Sequence, residues 1–198
     1  MRATTDQYKP EAIDLSDTQY TVAQTGKDKN MRPEYEAKDV AGNTIFRGKY
    51  MMYQGKDAFT FTDSDGNEIF TVKASGTWDI AGDYCLTDRH TDEDLVMLEN
   101  DFSLLQDTWR IRAIDDGSVL AEITSRGGLV TAGRKIIPLG QWIGHRYEIT
   151  DTEGDAVGSI ESEFAIFDEY DITISDTSSV PTEAIVIGTI VIDAIQAN

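Results

Sequence analysis

The C-terminal stretch Pro181-Thr182-Glu183-Ala-Ile-Val-Ile-Gly188-Thr189-Ile-Val-Ile-Asp193-Ala-Ile-Gln196-Ala-Asn198 decides how the rest of the chain must be arranged. Its β-branched composition favours a strand. Its polar positions favour a helix: Thr182, Thr189, Asp193 and Gln196 follow one narrow stripe at 3.6 residues per turn and do not share the parity of a strand face. Pro181 suits the first helical position and Glu183 the first turn. A helix over about 181–196 would be apolar on nearly every other side, and such a helix has to be buried. At 1.5 Å per residue it spans about 24 Å, the depth of a wide barrel. An edge or central strand is the competing reading. Asp193 would need a partner in such a place, so it is expected near the barrel mouth, hydrogen-bonded or hydrated.

Upstream, from Thr18 to Ile174, the chain reads as short strands separated by turns. Tyr20 and Val22 alternate with polar neighbours, as do Tyr147 and Ile149, and Thr60, Thr62, Thr71 and Val72 add β-branched residues. A repeat recurs through the region. Tyr35-Glu-Ala-Lys-Asp39-Val-Ala-Gly42-Asn-Thr-Ile45 matches Phe59-Thr-Phe-Thr-Asp63-Ser-Asp-Gly66-Asn-Glu-Ile69 and Tyr147-Glu-Ile-Thr-Asp151-Thr-Glu-Gly154-Asp-Ala-Val157, with a weaker copy over Arg110–Leu120. Each copy puts glycine where a hairpin turn needs positive φ, and an aspartate where its carboxylate can accept the turn's N–H groups. A second echo relates Phe102…Asp107-Thr-Trp109-Arg-Ile111 to Phe164…Asp168-Glu-Tyr170-Asp-Ile172. So many hairpins make a sheet that closes more comfortably than it stays open. The expectation is a single all-β domain over 13–198, a closed antiparallel barrel enclosing one helix, preceded by a polar tail over 1–12.

These residues resemble a known family. The hairpin Asp39-Val-Ala-Gly42-Asn-Thr-Ile-Phe46, its repeat at Asp63–Phe70, Asp107-Thr-Trp109 and the apolar run Val186–Ile195 are similar, in that order, to the LURP-one-related proteins. Those proteins are grouped with the Tubby C-terminal domain and the phospholipid scramblases. The likeness covers about Ile13 to Asn198. It implies a twelve-stranded antiparallel barrel wrapped around a C-terminal helix. About function it implies less. LURP-one-related members are linked to plant defence, mostly without a defined activity; Tubby domains bind phosphoinositide headgroups through basic residues; scramblases move lipids and carry a calcium-binding segment and acylated cysteines. This chain has no cysteine cluster and no basic pair matching the Tubby headgroup site, so no ligand-binding position carries over.

Charge sets further limits. Against 17 Lys and Arg stand 36 Asp and Glu, a formal net charge of −19, spread along the chain instead of gathered in a tail. An even acidic coat with few lysines is the pattern of a halophilic cytoplasm, where molar salt screens self-repulsion within about 3 Å. The other reading is an acidic protein that binds cations or basic partners. Duplex nucleic acid, which requires a basic face, is not an expected partner. No secretory leader or membrane-spanning run is visible, so a cytoplasmic protein, soluble or peripheral to the membrane, is expected.

No residues assemble into a catalytic or cofactor-binding motif. Asp88-Arg-His90-Thr-Asp92-Glu-Asp94 offers imidazole and carboxylates to a divalent cation, but in so acidic a chain a solvated acidic loop is the better reading. Asp63-Ser-Asp65-Gly66 resembles a calcium loop, but its glycine falls too early for that pattern. His145 lies at an expected strand start, and the lone Cys85 has no base nearby in sequence. Charge reverses only once: from Ser125 through Tyr147 there is no acid, and Arg126, Arg134 and Lys135 stand among glycines. Glycines beside cations can present N–H groups to an anion, a phosphate or a lipid headgroup; the alternative is that the basic side chains pair with acids of other strands. A non-enzymatic module that binds a lipid headgroup or a protein partner at the membrane surface follows as the leading expectation. A scramblase-like transporter and a hydrolase are the alternatives.

Overall fold

A computed structural model of the protein describes residues 5–53, 56–75, 83–102, 107–126, 146–163 and 169–196. Twelve strands follow in sequence: β1 (Gln19–Lys27), β2 (Pro33–Lys38), β3 (Thr44–Tyr53), β4 (Lys56–Thr62), β5 (Glu68–Ala74), β6 (Tyr84–Asp88), β7 (Asp94–Phe102), β8 (Asp107–Ala113), β9 (Val119–Ser125), β10 (Arg146–Thr150), β11 (Ala156–Glu163) and β12 (Glu169–Ile174). Each pairs antiparallel with its sequence neighbours, and β12 closes on β1 through a register running from Gln19↔Thr173 to Ala23↔Glu169. The barrel therefore has no free edge, as the repeat of hairpins requires.

The repeated turns explain the local geometry. In the first, residues 39–43 link the paired Lys38 and Thr44, and Asp39 accepts the N–H groups of Ala41 (2.9 Å) and Asn43 (2.8 Å). Gly42 takes φ 83°, a conformation a side chain resists. A register shift lies beside this turn, between Ala37 and Lys38, and the turns after β4, β6, β8 and β10 carry shifts at the same place. Such bulges add right-handed twist and help the sheet close.

Helix α1 (Thr182–Gln196) fills the barrel. Its β-branched side chains cost helix propensity of up to about 0.7 kcal/mol each. Burial contributes about 1.5–3 kcal/mol per isoleucine or valine, and Ile185, Val186, Ile187, Ile190 and Val191 are all fully enclosed. Burial wins, and the strand reading of this stretch fails. Against the helix, Phe46, Phe59, Phe61 and Phe70 interlock, with Phe46 edge-on to Phe61 and Phe70 at centroid distances of 5.8 and 5.2 Å. Gly48 has no room for a side chain: a Cβ there would stand 2.7 Å from Phe61 Cε1 and 3.6 Å from Ile190 of the helix.

On the outer face, charge pairing follows register. Glu36 lies opposite Arg47 and bonds it at 3.0 Å, and Arg110 lies opposite both Glu99 and Glu122, bonding Glu122 at 2.9 Å. In the segment before β1, of which residues 1–12 are expected as a polar tail, the described part packs on the barrel. Thr5–Tyr8 forms a 3-10 turn, and Tyr8 and Leu15 are buried against the barrel. Two buried carboxylates hold its backbone: Asp88 accepts Glu11 N–H at 2.6 Å and Glu183 accepts Leu15 N–H at 2.9 Å.

Candidate functional site

Because every connection is a hairpin, the connections alternate between the two ends of the barrel. The turns 39–43, 63–67, 89–93, 114–118 and 151–155 lie at one end, the turn end, with the helix N-terminus. Connections 28–32, 54–55, 75–83, 103–106, 126–145 and 164–168 join strand ends at the other, the loop end, where the helix terminates. The two ends differ in sequence. The five turns hold ten acids and one cation, Arg89, whereas the six loop-end connections hold four acids and five cations. The loop-end connections also hold Trp78, Leu104-Leu105, Ile136-Ile-Pro-Leu139, Trp142-Ile143 and Phe164-Ala-Ile-Phe167.

Inside the barrel toward the loop end, polar side chains of the wall meet the last turns of α1. Asp193 accepts Tyr35 Oη at 2.7 Å and Tyr170 Oη at 2.6 Å. One turn on, Gln196 Oε1 accepts Tyr147 Oη at 2.9 Å, and Gln196 Nε2 reaches Asp107 at 3.4 Å. Asp57 accepts Tyr50 at 2.5 Å and Tyr84 at 3.2 Å. Burial, then the Asp57 carboxylate, pushes the Tyr50 phenol up to about 12, so it stays a neutral donor. The indole N–H of Trp109 and one oxygen each of Asp107 and Asn100 are buried without a hydrogen-bond partner. The bonds to Asp193 and Gln196 fix the helix end to the wall.

Of the sequence-predicted residues, only some lie in the described part of the barrel. Arg126 is exposed at the end of β9 and pairs with Glu148 of the adjacent β10, the cross-strand alternative weighed for it. Arg134, Lys135 and His145 lie outside the described residues. Asp88 and His90 do not form a cation site: the buried Asp88 carboxylate accepts the backbone N–H of His90 at 2.6 Å as well as that of Glu11. Asp63 caps its turn through Asp65 N–H and Asn67 N–H, both at 2.9 Å, and the bond from the Asn67 side chain holds its carboxyl below the usual range. Among the described residues no three His, Cys, Asp or Glu are grouped to hold a metal. Cys85 is half-buried, and burial pushes its thiol up to about 12.

One turn escaped the sequence reading. Residues 28–32 link the paired Lys27 and Pro33 as 39–43 link Lys38 and Thr44. Asp28 accepts Asn30 N–H (2.7 Å) and Arg32 N–H (3.0 Å), Met31 N–H bonds Asp28 O (2.9 Å), and Asp28 N–H bonds Arg32 O (2.8 Å). This is the bonding of the Asp39 turn, set at the opposite end of the barrel with Met31 in the glycine position. Its aspartate is the signal in the sequence, and methionine in place of glycine hides the turn.

The LURP-one-related family model matches residues 44–193, well over half of the chain. The chain belongs to the LURP-one-related family. A solved protein from Arabidopsis thaliana has the same fold, with a TM-score of 0.55 over 99% of this chain and 98% of that one, at 13% sequence identity. At that identity the likeness speaks for the fold alone. No curated protein sequence matches the chain. The interior of this LURP-one-related barrel is occupied by its own helix. No helix among the described residues is long and apolar enough to cross a membrane.

Proposed function

We propose that this LURP-one-related protein is a non-catalytic binding module that meets a membrane surface with its loop end and recognises anionic lipid headgroups there. The observation that carries the reading is the contrast between the ends: ten acids and one cation in the turns, against five cations, four acids and long apolar runs in the loop-end connections. An anionic surface repels the first and attracts the second. Arg134 and Lys135 are the headgroup ligands in this reading, in a stretch of 25 residues without an acid, Ile123 to Tyr147. Arg126, paired with Glu148, contributes less.

Scramblase-like transport draws no support from α1, whose residues from Thr182 to Ala194 are enclosed by the barrel. Flotation with vesicles of phosphatidylcholine alone, and of phosphatidylcholine with phosphatidylserine, tests the proposal in low and molar salt. The protein should float with the anionic vesicles and lose that behaviour in a combined Arg134→Glu, Lys135→Glu variant. Binding to neither vesicle would overturn the lipid reading in favour of a protein partner.

A further inference from the structure

Met31 stands in a conformation that, among the described residues, is otherwise taken by four glycines and by Asp92, whose short polar side chain tolerates it. Its φ is 63°, in the left-handed region where Gly42, Gly66, Gly117 and Gly154 sit in the Asp turns at the other end. A side chain there is disfavoured, and unbranched apolar residues gain nothing from it locally. Nor does burial explain it: Met31 is 71% exposed, the most exposed large apolar side chain among the described residues. An exposed methionine held in a strained, hydrogen-bonded turn calls for a use outside the folded chain.

Met52 is its neighbour on the rim. Glu34 of β2 and Lys49 of β3 are directly paired, and Met31 and Met52 each lie three residues beyond that pair toward the loop end. Met52 is 54% exposed. Lys49 ties the two segments together, reaching Asp28 at 3.4 Å and Glu34 at 3.0 Å. Around the two methionines the sequence places Lys27, Lys29, Arg32, Lys49 and Lys56 against Asp28, Glu34 and Asp57, a local charge of +2 in a chain of −19. Two of those acids are turned to other tasks, Asp28 accepting backbone N–H groups and Asp57 accepting tyrosine hydroxyls. Val40 and Ile114 are exposed as well, but each stands in an acidic turn at the far end.

We propose that Met31 and Met52 form an apolar contact that enters the headgroup–acyl boundary of an anionic bilayer, with the surrounding lysines and Arg32 facing the headgroups. This rests on the reading above and assigns the contact to a corner of the loop end separate from Arg134 and Lys135. The pairing of apolar tip and cationic collar is the chemistry by which peripheral proteins sit in the interface.

The test measures binding to mixed phosphatidylcholine–phosphatidylserine vesicles for the full chain and for Met31→Gly, Met31→Leu and Met52→Gln. Met31→Gly relieves the strained φ, so its melting temperature should stay level or rise while vesicle binding falls about tenfold, the effect of withholding one buried methionine. Met31→Leu should bind as the parent does, and Met52→Gln, on a regular strand, should weaken binding without unfolding. If the methionine variants bind as tightly as the parent while the Arg134→Glu, Lys135→Glu variant does not, the methionine contact is overturned and the headgroup reading stands. If the parent binds no vesicle, both fall. A concentration-dependent dimer abolished by Met31→Gly, without vesicle binding, would assign the corner to a second copy and overturn the lipid contact.

Discussion

Tyr170 of the last strand donates its hydroxyl to Asp193 of the central helix across 2.6 Å, and Tyr35 of the second strand donates to the other oxygen at 2.7 Å. β12 and β2 flank β1, so the two phenols approach the carboxylate from either side of the strand that closes the barrel. Removing one phenol leaves a buried carboxylate short of a donor, at about 1–3 kcal/mol; removing the carboxylate takes an acceptor from two hydroxyls. Tyr35→Phe and Tyr170→Phe should each lower unfolding free energy by that amount, and Asp193→Ala by more than either. Chemical denaturation measures this. A Tyr35→Phe, Tyr170→Phe pair no less stable than the parent would show that the helix is held without them.

Glu183, at the other end of the same helix, gives a pH signature. It is buried, and burial holds its carboxyl above the ordinary carboxylate range despite the opposing bond from Leu15 N–H. Lys9, Asp14 and the Tyr20 phenol share its surroundings, and burial pushes that phenol up to about 12. The folded state thus holds the Glu183 proton more tightly than the unfolded chain. The stability from this proton is complete below the unfolded pKa and is lost as pH rises through the higher folded one. Glu183→Gln keeps an acceptor for Leu15 and removes the titration. The parent should therefore lose stability relative to Glu183→Gln from the ordinary carboxylate range upward, then level off. Parallel stability–pH curves would exclude this.

The helix was legible because its polar stripe follows the helical period, and the structure gives each of three stripe residues a partner. Thr189 bonds Ile185 O at 2.9 Å, Asp193 takes the two tyrosines and Gln196 takes Tyr147. Thr182, the fourth, has a buried hydroxyl with no hydrogen-bond partner. The hairpins were legible because glycine marks positive φ. What stayed hidden depends on tertiary order. Tyr35 and Tyr170 are 135 residues apart and become neighbours of one carboxylate only when β12 closes on β1. The contrast between the ends appears only after every connection is known to be a hairpin. The Asp28 turn stayed hidden because methionine occupies the position by which its relatives were found.

Cys85 offers a check on the placement of β6. Its thiol is half-buried and pushed up to about 12, first by burial and then by the Asp94 carboxylate. Little thiolate exists near neutral pH, so alkylation by iodoacetamide should be slow in the native protein and fast in denaturant. Fast native labelling would place the thiol in a more open setting than the barrel wall.

Two glycines separate backbone conformation from packing. Gly66 takes φ 87° with nothing within 4 Å of where a Cβ would be, so Gly66→Ala should cost only the left-handed conformation, about 1–2 kcal/mol. Gly158 of β11 has ordinary φ, but a Cβ there would collide with the carbonyl oxygen of Thr173 and stand 3.1 Å from Ile149. A backbone oxygen in a sheet cannot swing aside as a side chain does, so Gly158→Ala must push β12 away from β11. Overpacking of this kind costs about 3 kcal/mol, and it falls beside the strand that closes the barrel. Gly158→Ala should therefore be the more destabilising of the two in denaturant melts, and it should also weaken amide exchange protection along β12, which Gly66→Ala should leave intact. Equal losses from the two substitutions would mean that the wall accommodates the added methyl by a route other than displacing β12.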